Sequence, residues 1–591
     1  MIQEKTLTGY PSVDKPWLKY YGEEAINAPL PECTIYENVF RNNADYLDNN
    51  ALSYFGNKIT YRALFENVEK TRKGLLAQGV QKGDRVIMLT SSTPETVYTI
   101  LALSRLGSIA NMISPLFTDQ QIIERVNETE ATIMIVLDQL YTKVEKAIRQ
   151  TCIRRTIIVP VYNAMSGITK VVATWKKKKK IAYDESVISW NEFVLKGKQI
   201  ETPPEHMYEK DTPVVTVYSS GTTGASKGIV LTNDGINATI SHYLSPDFPY
   251  SRMDTYLQLI PVWFSTGLVL SLLMPLCLGV TVILEPMFSN ENFAKDIYKY
   301  KPNMTVGSTS MWLYAIQDEK IRKMDLSFMT YPITGGEQVL PRVETAINQF
   351  FKERNCNAVL LKGYGMCELG STVSADSATM QKLGATGFPI KPVTVGIFGK
   401  ETNCEKKYYE RGEIRVLSPC RMKEYYKNTE ATESYFYTDA KGDVWGCTGD
   451  IGYMDEDGFL FVLGRASDTF VTKSGLSVYC FDIENAVLEN ENVAQCEVVG
   501  LPENDYFIPV AHLVLEEGCK VPEKEILVAV HEKCQKVLEK DAIPCGYKIC
   551  TAFPVRRSGK RDMEKIKQDR EGFGIPTREG IEKVLFGLKK G

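Results

Sequence analysis

One short polar segment carries the side chains best suited to chemistry. The stretch VYSSGTTGASKGIVLTN, residues 217–233, concentrates hydroxyls, glycines and one lysine directly after an apolar run. Such a segment cannot build a core, but its hydroxyls, its freed backbone amides and its positive charge can hold phosphate. The inferred phosphate contacts are Ser219, Ser220, Gly221, Thr222, Thr223, Gly224 and Lys227.

The spacing of this segment differs from that of a P-loop. A P-loop has four residues between its first glycine and a Gly-Lys-Ser/Thr triplet, whereas here Lys227 is followed by Gly228. A kinase-like P-loop NTPase is therefore a poor fit. The alternative is a Ser/Gly-rich surface loop without a ligand, which the specific spacing disfavours.

Five further segments carry aromatic, glycine, acidic or basic residues in distinctive spacing. They are LIPVWFSTGL (259–268), ITGGEQV (333–339), KGYGMCELGS (362–371), CTGDIGYMDEDGFLFVLGRASD (447–468) and PVRRSGKRDMEK (554–565). Taken alone, each has a plainer interpretation, such as a buried aromatic pair, a turn aspartate or a solvated basic run. Together, in this order, they resemble the acyl-adenylate-forming superfamily over nearly the whole chain, from about residue 35 to 565.

The resemblance implies an ATP site and a magnesium site. It assigns Tyr364 to stacking on adenine, Glu368 to Mg²⁺ and Asp450 to the ribose hydroxyls. The complete implied ATP site comprises the phosphate contacts above with Gly335, Gly336, Glu337, Tyr364, Gly365, Cys367, Asp450 and Arg465.

The resemblance also implies the acid site, the catalytic lysine and a hinge. Trp263, Phe264 and Gly307 would line the site of the carboxylic acid. Lys560 would be the catalytic lysine, acting with Lys227 and Glu368. The hinge position falls on Ser467 or its neighbour Asp468.

Three positions depart from the family pattern. Cys367 stands where the family has threonine, and a thiol is a weaker hydrogen-bond donor than a hydroxyl. The loss of one such bond is worth on the order of 1 kcal/mol, so we expect an adjusted rate and not an inactive protein. Phe264 replaces a frequent histidine, and Ser467 replaces the usual Asp or Lys of the hinge.

Short apolar strands alternate with amphipathic helices along most of the chain. The pattern predicts a helix beginning near Tyr61, a strand over Val86–Leu89 and a helix over Pro94–Leu106. This rhythm is typical of parallel-sheet α/β layers. We expect a large N-terminal AMP-binding domain of this α/β class over residues 1–464. A small, mobile α+β domain carrying the catalytic lysine is expected over 465–591.

Two regions interrupt this rhythm. Residues 1–34 read as a loose lead-in, and residues 163–200 read as an insertion with a lysine run at 176–180. The simpler interpretation of the insertion is a solvated surface segment. The alternative is a basic patch that makes peripheral membrane contact.

Bulk composition limits the partners and the compartment. The formal net charge of −4 over 591 residues gives no general attraction to nucleic acid, so no nucleic-acid partner is expected. Fourteen scattered cysteines without metal spacing, and no apolar signal segment at the start, predict free thiols in a cytoplasmic protein. The apolar run Leu268–Leu284 is shorter than a bilayer span and contains Pro275, so it predicts a buried helix followed by a buried strand.

The function implied by the resemblance is two-step acid activation. A carboxylic acid and ATP would give acyl-AMP and pyrophosphate, and coenzyme A would then displace AMP. A lead-in of this length and the insertion near 163–200 resemble medium- or long-chain fatty acyl-CoA synthetases. The alternatives are an aryl-acid or acyl-carrier-protein ligase, and a non-catalytic nucleotide-binding relative. The resemblance allows a homodimer, for which no residue gives an argument.

Overall fold

The structure is a computed structural model that describes residues 7–167, 181–201, 206–219, 226–287, 289–555, 561–577 and 580–584. Part of the predicted site lies outside the described residues. These positions are Ser220, Gly221, Thr222, Thr223, Gly224 and Lys560, together with the lysine run 176–180.

Twenty-nine strands occur in the described chain. In the first half they are β1 Asn50–Tyr54, β2 Asn57–Thr60, β3 Arg85–Leu89, β4 Ile109–Met112, β5 Ile133–Leu137, β6 Arg155–Val159, β7 Val187–Ser189, β8 Pro213–Tyr218, β9 Gly228–Thr232, β10 Thr255–Gln258, β11 Thr281–Leu284, β12 Met304–Gly307, β13 Tyr331–Gly335 and β14 Leu361–Tyr364. In the second half they are β15 Ser374–Ala375, β16 Phe388–Pro389, β17 Thr394–Phe398, β18 Gly412–Leu417, β19 Glu424–Tyr425, β20 Phe436–Thr438, β21 Val444–Met454, β22 Leu460–Arg465, β23 Thr469–Val471, β24 Ser477–Tyr479, β25 Val493–Glu503, β26 Tyr506–Leu515, β27 Tyr547–Cys550, β28 Phe573–Pro576 and β29 Ile581–Val584.

Helices connect most of these strands. The α-helices are Pro11–Asp14, Glu23–Asn27, Ile35–Asn43, Tyr61–Ala77, Pro94–Leu106, Asp119–Thr129, Asp138–Ile148, Trp190–Gly197, Asn233–Tyr243, Met274–Leu278, Asn290–Tyr300, Thr309–Gln317, Pro341–Glu353, Thr429–Tyr435, Cys480–Leu488, Glu523–Val537 and Met563–Gln568. A π-helix spans Thr266–Leu273, and short 3₁₀ turns occur at Pro16–Tyr20, Ile321–Lys323, Cys367–Leu369 and Lys540–Ala542.

Two large sheets contain most strands of the first half of the chain. One has eight strands in the order β19-β9-β8-β4-β3-β5-β6-β7, parallel from β8 to β7 and antiparallel at the β9 and β19 edge. The other has nine strands in the order β16-β15-β14-β13-β12-β10-β11-β1-β2, parallel through its centre. Parallel strands joined by helices confirm the α/β class.

Three smaller sheets complete the strand pairing. β17-β18-β21-β20 form one sheet in which β22 also pairs with β21, β23 and β24 form a hairpin, and β25 to β29 form a five-stranded sheet. By contact density the chain divides into two compact units. The first is Met1–Glu410 with Arg415–Thr448 and Tyr453–Phe461, and the second is Arg411–Ile414 with Gly449–Gly452 and Val462–Gly591.

The sequence patterns located the central elements well. The predicted helix Pro94–Leu106 has those bounds in the structure, and every residue in it except Arg105 is buried, as expected for a helix in the core. The apolar run 268–284 contains two helical segments followed by β11, as predicted. In the part of the chain that the structure describes, every helix is too short or too polar to traverse a lipid bilayer.

The prediction of a loose lead-in was wrong. Trp17 in the turn Pro16–Tyr20 is fully buried. Ser12 donates from its amide and its hydroxyl to Glu405 at 2.8 and 2.7 Å, and the Tyr21 hydroxyl donates to the carbonyl of Pro389 at 2.8 Å. These partners lie several hundred residues away, so the local sequence could not indicate that the segment is anchored.

The insertion is also more ordered than a solvated segment. Residues 187–197 form edge strand β7 and a helix whose Trp190 and Phe193 are buried. The interpretation of a purely solvated insertion is therefore wrong for this part.

Candidate active site

The predicted phosphate-binding segment, called here the phosphate hairpin, connects the antiparallel strands β8 and β9. Tyr218 pairs with Gly228 across the antiparallel strands β8 and β9. The Ser219 amide donates to the Lys227 carbonyl at 3.0 Å, and the Lys227 amide donates to the Ser219 hydroxyl at 3.0 Å. These bonds close the base of the loop. The carboxyl ends of parallel strands are where α/β sheets bind ligands.

Lys227 and Glu368 approach the same tyrosine. The Lys227 ammonium lies 4.7 Å from the centre of the Tyr425 ring, within cation–π range. The Tyr425 hydroxyl donates to Glu368 Oε1 at 2.9 Å. The structure therefore brings together two predicted site residues that are far apart in the sequence.

The surroundings of Glu368 suit a magnesium ion held mainly by substrate. Mg²⁺ usually binds one or two protein carboxylates together with substrate phosphates. Glu368 supplies one half-buried carboxylate, and the tyrosine that it accepts from, Tyr425, also contacts Lys227. Within the described ranges no three His, Cys, Asp or Glu side chains lie close enough to hold a metal on their own. One carboxylate completed by phosphate oxygens is the arrangement that fits.

The neighbouring Tyr435 stays neutral beside this carboxylate. Burial raises the pKa of Tyr435 well above its usual value, and the nearby Glu368 raises it further. Its hydroxyl contacts Met366 Sδ at 3.3 Å, and its ring meets Tyr425 edge-on at 6.0 Å between centroids. Tyr435 thus supports the ring of Tyr425 from behind.

Cys367 is held by a serine from the acid-site motif. The hydroxyl of Ser265 donates to Cys367 Sγ at 3.0 Å, and Ser265 is almost fully buried. The next residue, Thr266, accepts a hydrogen bond from the Ser371 hydroxyl at 3.3 Å. The segments 259–268 and 362–371, which are far apart in the sequence, are therefore joined by side-chain hydrogen bonds.

The predicted adenine contacts lie at adjacent strand ends. Gly335 ends β13 and pairs with Gly363 of β14, and Tyr364 ends β14. Gly365 has a steric requirement, because a Cβ there would lie 1.9 Å from the carbonyl oxygen of Ser371. The carboxylate of Glu337 accepts hydrogen bonds from the amide and hydroxyl of Ser310, in the first turn of the helix Thr309–Gln317.

A buried ion cluster anchors β14 behind these contacts. Lys362 is 2% exposed, forms an ion pair with Glu344 and lies 3.5 Å from Asp376. Burial raises the pKa of Asp376 to about 7, although the Lys362 charge opposes the rise. Because breaking such a pair leaves an uncompensated buried charge, the cluster fixes the strand that carries Tyr364.

The predicted acid-site residues follow β10 or end β12. The rings of Trp263 and Phe264 lie 6.1 Å apart between centroids, directly before the π-helix. π-Helical geometry is rare in proteins, and where it occurs as single turns it is frequent at functional sites. Gly307 makes room for Phe293, since a Cβ would lie 2.7 Å from that ring. Packing against Phe293 therefore explains why residue 307 is a glycine. The contact of Gly307 with the carboxylic acid stays a prediction.

In the second unit, Asp450 and Arg465 form an ion pair across adjacent strands. Arg465 Nε lies 2.9 Å from Asp450 Oδ1, and Asp450 is buried. Ser467 is exposed in the turn between β22 and β23, and the Asp468 amide donates to the Arg465 carbonyl at 3.1 Å. The predicted hinge residues therefore occupy a turn between two strands. The predicted catalytic Lys560 lies outside the described residues.

Sequence reasoning did not identify Tyr425 and Ser265. Tyr425 lies in edge strand β19, and its role depends on pairing with β9, which spacing does not reveal. Ser265 lies within the quoted motif LIPVWFSTGL, so its hydroxyl was a signal that could have been used.

Glycines at the ends of parallel strands, together with a lysine and a glutamate that contact the same tyrosine, suit the binding of a nucleotide. The chain belongs to the AMP-binding enzyme family: the family's sequence profile matches residues 39–426, and the profile of the AMP-binding enzyme C-terminal domain matches residues 482–560. It is an enzyme of the acid–thiol ligase class.

Known relatives share most of the chain length. A long-chain-fatty-acid–CoA ligase of Bacillus subtilis (strain 168) is 27% identical over 92% of this chain and 96% of the relative. The 4-coumarate–CoA ligase 1 of Petroselinum crispum is 27% identical over 83% of this chain and 87% of the relative. The anthranilate CoA ligase AuaEII in complex with anthranoyl-AMP superposes with a TM-score of 0.76 at 20% identity, covering 92% of this chain and 98% of that structure.

Proposed function

We propose that this enzyme activates a medium- or long-chain fatty acid with ATP and transfers the acyl group to coenzyme A. The observation that carries the proposal is the convergence of Lys227 and Glu368 on Tyr425 at the base of the phosphate hairpin. This convergence supports a single site in which Lys227 faces phosphate and Glu368 binds the metal.

In the first half-reaction a carboxylate oxygen forms a bond to the α-phosphorus, and the bond from that phosphorus to pyrophosphate breaks. The step brings an anion toward a polyanion. Unit charges 4 Å apart interact by roughly 4 kcal/mol at an effective dielectric of about 20, so cations and donors must be in place beforehand. We assign Lys227 and the Ser219–Lys227 loop to the β- and γ-phosphates. Glu368 would hold the Mg²⁺ that neutralises phosphate charge.

Adenine and ribose would be held by backbone and acidic groups. The strand ends of β13 and β14 offer Gly335, Gly336 and Tyr364 to the base. Asp450 would accept from the ribose hydroxyls, with Arg465 as its partner at 2.9 Å. These assignments come from the family resemblance, and the positions of Gly335 and Tyr364 at strand ends support the adenine contacts.

In the second half-reaction the sulfur of coenzyme A attacks the acyl carbon, and the bond from that carbon to the phosphate oxygen of AMP breaks. The thiol proton leaves to solvent. We propose that residues 465–591 form a mobile domain that presents Lys560 for the first step and turns at Ser467 or Asp468 before the second. A turn between two strands, as found at Ser467, is a suitable place for a hinge.

The fatty acid is the proposed substrate class. Support comes from the name of the Bacillus subtilis relative, which aligns with nearly all of this chain, and from the apolar pair Trp263 and Phe264. The 4-coumarate and anthranilate ligases keep an aryl acid as the second candidate.

A reducing compartment suits the cysteines. All 14 cysteines fall within the described residues, and none forms a disulfide. We propose a cytoplasmic location on this ground, because disulfides are rare in the cytosol.

A substrate panel tests the proposal. Purified enzyme is incubated with ATP, Mg²⁺, coenzyme A and one acid from a set of C4 to C18 fatty acids, 4-coumarate and anthranilate. Mass spectrometry then measures the acyl-CoA. We expect acyl-CoA and AMP in equal amounts, with the best turnover for fatty acids of medium or long chain. If only the aryl acids gave acyl-CoA, the enzyme would be an aryl-acid ligase and the fatty-acid proposal would be wrong.

A further inference from the structure

The segment from Met422 to Tyr426 connects two predicted parts of the site through its own backbone. These parts are the phosphate hairpin and the segment 362–371, which carries Glu368. The Met422 amide donates to the Glu368 carbonyl at 2.7 Å. At its other end the Tyr426 amide donates to the Gly228 carbonyl at 2.7 Å, directly after Lys227. The segment therefore fixes the distance between the two motifs.

Tyr425 repeats this connection with its side chain. Its hydroxyl donates to Glu368 Oε1, and its ring face lies beneath the Lys227 ammonium. Tyr425 is 6% exposed, and its ring is supported by Tyr435, so the geometry has little freedom. Among the described residues neither Lys227 nor Glu368 forms an ion pair.

The absence of an ion pair between these two charges has a chemical consequence. A lysine and a glutamate in direct contact would neutralise each other and compete with phosphate and metal. An aromatic ring attracts a cation without cancelling its charge. A phenol hydroxyl orients a carboxylate while leaving it anionic.

We propose that Tyr425 is a positioning residue that keeps Lys227 and Glu368 close together but unpaired, so that both charges remain available to Mg²⁺ and the phosphates of ATP. The inference rests on the proposed function, since it concerns the same site. It adds a residue that lies outside the motifs on which the family resemblance rests.

The competing explanation is that Tyr425 only fills space in the core. Tyr425→Phe separates the two explanations, because it keeps the ring and the packing and removes only the hydroxyl. The matched control is Tyr426→Phe. Tyr426 is the next residue along the chain, and its ring lies 3.9 Å from the Arg85 guanidinium and not at Lys227.

The experiment measures Mn²⁺ affinity by electron paramagnetic resonance, with ATP at saturation and no acid present. Because a hydrogen bond to a charged group is lost, we expect Tyr425→Phe to weaken Mn²⁺ binding by about tenfold. We expect Tyr426→Phe to remain within about twofold of the wild type, and both variants to melt at similar temperatures. Tyr425→Leu, which also removes the ring, should additionally weaken ATP binding measured by calorimetry.

Two outcomes would overturn the proposal. One is unchanged Mn²⁺ affinity in Tyr425→Phe, and the other is an equal loss in both phenylalanine variants. The binding readout is independent of turnover. If the wild type forms no acyl-AMP with any acid but Tyr425→Phe still loses Mn²⁺ affinity, the proposed reaction fails and the positioning role stands.

Discussion

At the scale of single residues, Cys367 departs from the family pattern and is held in place by a serine hydroxyl. A thiol donates a hydrogen bond weakly, yet it accepts one from Ser265 at 3.0 Å. This contact joins the acid-site motif to the residue beside Glu368.

We predict that Cys367→Thr keeps or improves activity. Threonine has a similar volume, restores a strong donor and can still accept from Ser265. We expect kcat/KM for ATP within about threefold of the wild type or higher, because one neutral hydrogen bond is worth on the order of 1 kcal/mol. Steady-state kinetics with Cys367→Ala as the control measures this. A loss beyond about tenfold in the threonine variant alone would show a specific role for the thiol.

Single residues were predicted from the sequence where the motif itself carries the chemistry. Lys227, Glu368 and Tyr364 were proposed in this way, and their roles stay predictions; the structure places them at strand ends or in the loops that follow. Tyr425 was not found, because its importance arises from the pairing of β19 with β9. A tyrosine in an edge strand has no local signal that distinguishes it from a packing residue.

At the scale of secondary-structure elements, β26 carries a buried histidine that should respond to pH. His512 is 2% exposed, and its ring meets Phe573 edge-on at 4.9 Å. Asp569 Oδ2 lies 3.6 Å from His512 Nε2, and Lys548 donates to both oxygens of that carboxylate. Burial lowers the pKa of His512 to about 4, the nearby Lys548 charge lowers it further, and Asp569 opposes the shift.

The direction of the pH effect follows from this depressed pKa. In the unfolded chain histidine gains a proton near pH 6.5, whereas in the folded chain His512 stays neutral until about pH 4. The unfolded state therefore binds more protons in this window, and stability falls as the pH drops from 6.5 to 4. By linkage the loss is on the order of 3 kcal/mol.

We predict that His512→Leu removes most of this pH dependence. Hydrogen exchange of the β26 amides in the full-length protein, corrected for intrinsic rates, measures the opening free energy between pH 6.5 and 4. The wild type and the half-exposed control His531→Gln should lose stability over this range, and His512→Leu should lose much less. A slope in His512→Leu as steep as that of the wild type would assign the effect to other groups.

The elements themselves were predictable where periodicity is strong and the partners are sequential. The strand predicted at Val86–Leu89 is a short apolar run after a turn, and the helix Pro94–Leu106 follows it as the next unit of the strand–helix rhythm. The anchoring of the N-terminal segment could not be predicted from the local sequence. Ser12 is held by Glu405, and Trp17 is buried by tertiary packing. Local patterns contain no information about such long-range partners.

At the scale of the whole molecule, the enzyme must serve two half-reactions with one chain. The resemblance assigns Lys560 to the first of them. We predict that Lys560→Ala nearly abolishes acyl-AMP formation while sparing thioester formation from supplied acyl-AMP. Quenched-flow assays of each half-reaction measure this, with Lys565→Ala as the control. An equal fall in both half-reactions would contradict the role given to Lys560.

We further predict that Ser467→Pro separates the two half-reactions. The φ angle of Ser467 is negative, and among the described residues its amide has no acceptor, so proline removes no backbone hydrogen bond there while it fixes φ. A fixed hinge should slow one half-reaction by about tenfold or more and leave the other within about twofold. Asp468→Pro is the contrast, because it removes the bond from the Asp468 amide to the Arg465 carbonyl. Two unaffected half-reactions in Ser467→Pro would place the hinge elsewhere.

The proposed reaction begins when the enzyme forms an acyl-adenylate from ATP and a fatty acid. Acid-dependent exchange of labelled pyrophosphate into ATP, without coenzyme A, tests that step alone. We expect exchange with medium- or long-chain fatty acids, little exchange with amino acids, and none when Mg²⁺ is removed. ATP binding without exchange for any fatty or aryl acid would contradict the claim and favour a nucleotide-binding relative without this chemistry.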